Sequence, residues 1–169
     1  MTPFPLGLDS PGPRLVSGRL NRADARLMAI IAEHHHRGVE RYRPRDVDGI
    51  PGNETWCNLF AQDVAEAMAC VLPRYMRANE LVMWLGSQAA IYEGWEQVTG
   101  HVAQRMADEG QLALACWFNR NGGPGHIAVM APALGDPGLW CAQAGASNFT
   151  RNLVTSGFGS RDVSYFGHP

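Results

Sequence analysis

The fold is organised around the stretch Asn53-Glu54-Thr55-Trp56-Cys57-Asn58-Leu59-Phe60. A loop rich in Gly and Pro ends here and a helix begins, which places Cys57 in the first helical turn. A thiol at that position lies near the positive end of the helix dipole and near backbone N–H groups without helical partners. Both favour the thiolate, which is the nucleophilic form of cysteine. The stretch therefore predicts a nucleophile, provided that the rest of the chain supplies a base.

On the N-terminal side of this stretch, the sequence predicts an arm, a helix and a long loop. Residues 1–20 are rich in Pro and Gly, as expected of a surface arm. A helix is predicted from Asn21, a good N-cap, to about Arg37, with Gly38 as its stop. Residues 38–55 have turn chemistry throughout and are predicted to form one wall of a cleft.

Three more helices are predicted on the C-terminal side, and helical spacing puts Cys57 on the core face of the first. Thr55 is its predicted N-cap and Pro73 its predicted stop. The predicted bounds are about Trp56 to Val71, Asn79 to Tyr92 and Gly100 to Glu109.

Beyond residue 110 the pattern changes from helices to strands, with a strong Gly- and Pro-containing turn at 119–125. The predicted strands are 111–118, 126–130 and 139–144, with shorter extended pieces at 95–98, 152–155 and 163–166. Helices followed by antiparallel strands predict an α+β domain with helices packed on one face of a meander. The length of 169 residues suits one domain, so we predict an arm over 1–20 and a single domain over 21–169.

Composition excludes several classes of protein. The net charge of −2 lacks the basic excess of a nucleic-acid-binding protein. No apolar run approaches the roughly 18 residues of a membrane span. Residues 1–20 lack the basic and apolar regions of a secretory signal, so we expect synthesis in the cytoplasm.

Other polar motifs have structural explanations. The four cysteines include no CxxC pair, and Cys70, Cys116 and Cys141 are predicted to be buried thiols rather than a disulfide framework. The consecutive residues 34–36 are all histidine, but they point in different directions, so neither a metal nor a cofactor is predicted. Asp63 is predicted to bond the loop 38–55.

Two later residues complete a candidate site with Cys57. His126 opens a strand directly after the strong turn and can act as the base. Gln143 lies on the next strand, where a carboxamide can orient the imidazole, although an ordinary buried amide is an equal alternative. The backbone N–H of Cys57 and the side chain of Asn53 are the candidate oxyanion donors. Trp56 borders the nucleophile and is a candidate wall of the cleft.

Three segments surround these residues: Asn53-x-Thr-Trp-Cys-Asn-x-Phe-x-x-Asp-Val, Gly125-His-Ile-Ala-Val-Met and Ala142-Gln-Ala-Gly-Ala-x-Asn-Phe. Together they resemble the papain-like peptidoglycan hydrolases of the NlpC/P60 and CHAP group. The resemblance covers roughly residues 53–150 and implies a papain-like fold in which Cys57 and His126 are catalytic. The third catalytic residue of the group is commonly His, Asn, Asp or Glu. Here Gln143 takes that place, with Asn148 as the alternative.

The resemblance also implies a function. Such enzymes cut amide bonds in the stem peptide of the bacterial cell wall, as phage lysis enzymes or as antibacterial secreted effectors. The resemblance would also imply delivery to the periplasm of a target bacterium. A secretion-system component and an immunity protein would then be partners. Two alternatives remain open. The first is an enzyme of the same papain-like fold that acts on another amide or acyl substrate, by proteolysis, deamidation or acyl transfer. The second is a catalytically dead cell-wall-binding module.

Overall fold

A computed structural model describes residues 23–37, 42, 56–74, 76–145 and 147–169, which form six helices and six strands. The helices are α1 (Ala23–Arg37), α2 (Cys57–Ala67), α3 (Ala78–Leu85), α4 (Gln88–Tyr92), α5 (Gly100–Asp108) and α6 (Val154–Phe158). The strands are β1 (Glu96–Val98), β2 (Leu112–Trp117), β3 (His126–Met130), β4 (Trp140–Gln143), β5 (Phe149–Leu153) and β6 (Ser164–His168). The predicted arm 1–20 and the predicted caps Asn21, Gly38 and Thr55 lie outside the described residues.

The strands form one antiparallel sheet in the order β1-β6-β2-β3-β4-β5. Strands β2 to β5 follow one another as a meander, and β6 returns to the other side of β2. Most helices precede the strands, which confirms the predicted α+β class. Residues 112–116 of β2 are all buried. Because side chains alternate between the faces of a strand, both faces of β2 are covered, whereas the sequence predicted cover on one face.

Helix α2 is shorter than predicted. It ends at Ala67, and the chain leaves it through Ala69, whose φ is 58°. The Ala69 N–H then bonds the Glu66 carbonyl at 3.0 Å and the Cys70 N–H bonds the Ala65 carbonyl at 2.9 Å. This pair of bonds is a Schellman stop made without glycine. The predicted stop at Pro73 was therefore wrong, because a backbone turn ends the helix before the proline.

Two other predicted elements differ from the structure. The helix predicted over 79–92 is two helices, because Ser87 caps a new one by accepting a bond from the Ala90 N–H at 3.5 Å. The extended piece predicted at 152–155 lies partly in helix α6 instead. The strand predicted over 126–130 has those bounds, and the other long strands agree with their predictions within two residues.

Helix α2 is anchored from both of its flanks. Asp63 accepts a bond from the Tyr42 hydroxyl at 2.5 Å and one from Arg74 at 2.7 Å. Because Tyr42 lies within 38–55, the prediction that Asp63 bonds that loop is confirmed. Asn58 donates to the Met76 carbonyl at 2.9 Å.

In the described part of the chain, no helix has the length and apolar character needed to cross a membrane.

Candidate active site

Cys57 is the first residue of helix α2. Trp56 occupies the N-cap position without a side-chain cap bond, and the backbone ladder of the helix begins with Phe60 N–H to the Trp56 carbonyl at 3.0 Å. The N–H groups of residues 57–59 therefore precede the ladder and carry the positive end of the helix dipole. Cys57 is only 3% exposed, so its thiol feels this field with little screening by water.

His126 is the first residue of β3 and lies directly opposite Trp117 in the sheet. The hairpin that presents it is held by Asn79 of α3. The side-chain amide of Asn79 donates to the carbonyls of Asn119 and Gly123 at 3.3 and 3.1 Å, and its oxygen accepts from the Asn119 N–H at 2.9 Å. Three bonds to one turn fix the start of β3, and with it the position of the imidazole.

Cys57 and His126 are hydrogen-bonded to each other and shift each other's pKa. Burial raises the pKa of the Cys57 thiol. The hydrogen bond and charge of His126 lower it, as do the backbone N–H groups of Ile127 and Asn58, and the net effect is a lowered pKa. Burial lowers the pKa of His126, but Cys57 and Gln143 together raise it overall. These opposite shifts favour a thiolate–imidazolium pair.

Gln143 fixes the orientation of the imidazole. Its Oε1 lies 2.7 Å from His126 Nε2, and its Nε2 donates to the backbone carbonyl and the hydroxyl of Ser147, both at 3.1 Å. Because the amide nitrogen is committed to Ser147, the oxygen faces the ring, and His126 Nε2 must be the donor. The other ring nitrogen, Nδ1, is then left for Cys57. Gln143 is 4% exposed, so this bond is shielded from water.

The other three cysteines are free thiols with a different electrostatic environment. Burial raises the pKa of Cys70 to about 11 and that of Cys141 to about 12. Burial, with the neighbouring charge of Cys57, also raises the pKa of Cys116. Cys57 is therefore the one thiol of the chain that its surroundings activate.

Two residues that sequence reasoning missed support the site. The ring of Phe158 in α6 lies 4.7 Å from that of His126 and covers one side of it. The ring of His35 donates to the backbone carbonyl of Gln143, while burial lowers the pKa of His35. His35 Nε2 has no partner, so Nδ1 makes this bond and ties α1 to the end of β4. No sequence signal points to these contacts, because each joins segments distant in the chain.

The remaining predicted site residues lie in different places. Asn53 is outside the described residues. Trp56 is half-buried and packs against the core beside Cys57. Asn148 closes a turn by accepting from the Gly145 N–H at 2.8 Å, while Gln143 takes the position beside His126. The structure thus brings Cys57, His126 and Gln143 together.

The arrangement can form a nucleophile, hold a proton next to it and keep the imidazole in one tautomer. No group of three or more His, Cys, Asp or Glu that could hold a metal ion occurs in the described ranges. Comparisons with models of known protein families and with curated proteins find no match to this chain.

Proposed function

We propose that the protein is a cysteine hydrolase that cleaves amide bonds in the stem peptide of bacterial peptidoglycan. One observation carries the proposal that the protein is an enzyme. Among the four cysteine thiols only that of Cys57 has a lowered pKa, and the pKa of its partner His126 is raised. The choice of substrate rests on the resemblance of the segments around Cys57, His126 and Gln143 to papain-like cell-wall hydrolases. The same resemblance supports a papain-like fold and action in the periplasm of a target bacterium.

The proposed reaction begins with the thiolate–imidazolium pair. The Cys57 sulfur attacks the carbonyl carbon of the scissile amide, and the carbonyl oxygen becomes an oxyanion. The backbone N–H of Cys57 stabilises that charge, with the side chain of Asn53 as the proposed second donor. His126 gives its Nδ1 proton to the leaving amine nitrogen, the C–N bond breaks, and a thioester remains.

Hydrolysis of the thioester completes the cycle. His126, now neutral, accepts a proton from water while the water oxygen attacks the thioester carbon. The C–S bond breaks, the carboxylic acid leaves and the thiolate is restored. Gln143 accepts a bond from His126 Nε2 throughout, so the imidazole keeps Nδ1 toward the sulfur in both half-reactions.

The decisive experiment is digestion of purified cell-wall sacculi, followed by mass spectrometry of the released muropeptides. We expect new peptide termini with the native protein and none with Cys57→Ala or His126→Ala. Cys70→Ala is the matched control, because it removes a free thiol outside the site and should leave the digestion unchanged. Termini that persist in Cys57→Ala would refute the proposal.

Labelling by iodoacetamide separates two kinds of negative result. If sacculi stay intact but Cys57 is alkylated rapidly, the protein is a thiol enzyme for a different amide or acyl substrate. If Cys57 is alkylated as slowly as a buried thiol and His126→Ala changes nothing, the enzymatic proposal itself is wrong.

A further inference from the structure

Arg161 lies at the edge of the candidate site and is positioned by two contacts. Its Nη1 donates to the Phe158 carbonyl at 2.9 Å, and its Cζ lies 4.6 Å from the centre of the Trp117 ring. Both contact residues flank His126: Trp117 is its partner in the sheet, and the Phe158 ring is 4.7 Å from its ring. The guanidinium is therefore held beside the catalytic imidazole, although the side chain is exposed to solvent.

The charge of Arg161 is not neutralised within the described structure. No ion pair between described residues involves it, and its one side-chain hydrogen bond to a described residue uses one of the five N–H donors of the guanidinium. Its charge opposes protonation of His126, which the proposed mechanism needs in its protonated form. An unpaired cation near the proposed catalytic acid is unfavourable for the free enzyme. A substrate anion at this position would remove that cost.

Arg151 shows what a structural arginine looks like in the same chain. It also stacks on an aromatic ring, with its Cζ 3.8 Å from the centre of the Trp140 ring. Its donors, however, are used by the Pro132 carbonyl at 3.0 Å and by Asp136 at 2.6 Å. Arg161 also lies over an aromatic ring, at the longer distance of 4.6 Å, but most of its side-chain N–H donors have no partner among the described residues.

We propose that Arg161 binds a carboxylate of the substrate, so that the preferred substrates are amides with a free carboxylate close to the scissile bond. The inference rests on the proposed function and narrows its substrate class. A planar guanidinium fits a carboxylate through two parallel N–H···O bonds, and the contacts of Arg161 with Trp117 and with the Phe158 carbonyl hold it at the edge of the site.

The first test compares alkylation of Cys57 by iodoacetate, an anion, and by iodoacetamide, its neutral analogue. We expect Arg161→Gln to lower the iodoacetate-to-iodoacetamide rate ratio about 3- to 10-fold. Any change in thiolate content affects both reagents alike and cancels in the ratio. Arg105→Gln is the matched control, since it removes an exposed charge on α5 and should leave the ratio near the native value.

The two proposals fail in distinguishable ways in this experiment. Rapid, His126-dependent alkylation by iodoacetamide with an unchanged ratio in Arg161→Gln would overturn the carboxylate site alone. An equal fall in Arg105→Gln would also overturn it, because the effect would then be net charge and not a local site. Slow alkylation by both reagents that is insensitive to His126→Ala would overturn the proposed function itself.

The second test uses stem peptides whose carboxylates are either free or amidated. With free carboxylates, Arg161→Gln should raise KM about tenfold while kcat changes little, because a binding contact is lost. With amidated peptides the native protein and the variant should have similar KM. Equal KM values for the free peptides in both proteins would contradict the assignment.

Discussion

At the level of single residues, the site depends on which groups contact the Cys57 sulfur. All four thiols of the chain lose water contacts on folding, and for three of them burial raises the pKa. Burial raises the pKa of Cys57 as well, but the bond and charge of His126, with the backbone N–H groups of Ile127 and Asn58, reverse the sign. Burial then strengthens the attraction between thiolate and imidazolium, since little water remains to screen it.

Alkylation of Cys57 by iodoacetamide should follow the lowered pKa of its thiol. The thiolate forms above that pKa, so the rate should reach half its maximum at a lower pH than the rate of an ordinary thiol. His126→Ala should move this midpoint upward, because burial then acts on the thiol without the opposing imidazolium. Rates measured from pH 4 to 9 give both midpoints, and a flat profile would contradict the thiolate–imidazolium pair.

Removal of the Gln143 side chain should slow the proposed reaction with little effect on substrate binding. A hydrogen bond to a charged group contributes roughly 1.5–3 kcal/mol, which corresponds to a fall in kcat of roughly 10- to 150-fold for Gln143→Ala. The Gln143 bond also raises the pKa of His126, so the alkaline limb of the pH–rate profile should move to lower pH. Steady-state kinetics across pH measure both effects.

Asn148→Ala is the control for this prediction, since Asn148 bonds the Gly145 N–H and not His126. It should leave the pH–rate profile in place. If Asn148→Ala lowers kcat and Gln143→Ala does not, the two residues have been assigned the wrong roles.

Sequence reasoning reached Cys57, His126 and Gln143 because each carries a local signal: a helix start, a strand start after a strong turn, and a position on the neighbouring strand. It could not find Arg161 or His35. Their contacts with Trp117 and with the Gln143 backbone join segments far apart in the chain. Such contacts depend on the tertiary fold and leave no periodic or spacing pattern in the sequence.

At the level of elements, the β2–β3 hairpin and helix α3 form the support of His126. Asn79 of α3 makes three bonds to the hairpin turn, and Gly125 brings the chain close to that amide just before His126. A Cβ atom at position 125 would lie 2.2 Å from Asn79 Oδ1 and 2.7 Å from the Trp117 carbonyl. Only glycine fits this approach without displacement of its neighbours.

Gly125→Ala should therefore disturb both stability and the site. The methyl group must displace the Asn79 amide or the start of β3, at a cost of about 1–3 kcal/mol in the free energy of unfolding. Displacement of His126 should also slow alkylation of Cys57. Urea unfolding and iodoacetamide labelling measure the two effects separately.

Gly86→Ala is the matched control, because its Cβ would meet nothing closer than 3.6 Å. It should leave the labelling rate unchanged. The cost of Gly125→Ala should also be smaller in an Asn79→Ala background, since one of the two clashes is then absent. A full cost in that background would show that the Trp117 carbonyl alone is responsible.

The ends of helices α5 and α2 differ in how well the sequence predicted them. Helix α5 ends as predicted because Gly110 has a φ of 77°, a conformation that glycine adopts readily. Helix α2 ends at Ala67, and the chain turns away at Ala69 with a φ of 58°, where no local signal indicates a stop. Ala69 takes this unfavourable conformation because the tertiary structure requires a turn there, which a residue-by-residue propensity does not include.

At the level of the whole molecule, the sequence predicted a meander, which strands β2 to β5 form, but not the position of β6. Strand β6 inserts between β1 and β2, so its neighbours in the sheet are far from it along the chain. Strand pairing of this kind is determined by which buried surfaces fit together, and the alternation of apolar residues within a single strand does not encode it. Because β6 returns to pair with β2, the centre of the sheet depends on a segment that supplies none of the three residues of the candidate site.

Substitution of Phe166 in β6 should therefore destabilise the entire domain. Phe166 is 3% exposed and lies opposite Leu114 on one side and Gln97 on the other, so Phe166→Ala leaves a cavity inside the sheet layer. We expect a loss of about 3–5 kcal/mol, a large part of the roughly 5–15 kcal/mol that stabilises a typical domain. Tyr92→Ala removes an aromatic ring that is 82% exposed and should change the free energy of unfolding by less than about 0.5 kcal/mol. Urea unfolding measures the free energy of unfolding of both variants, and Cys57 labelling reports on the site in the folded state. Equal losses of stability in the two variants would contradict a central role for β6.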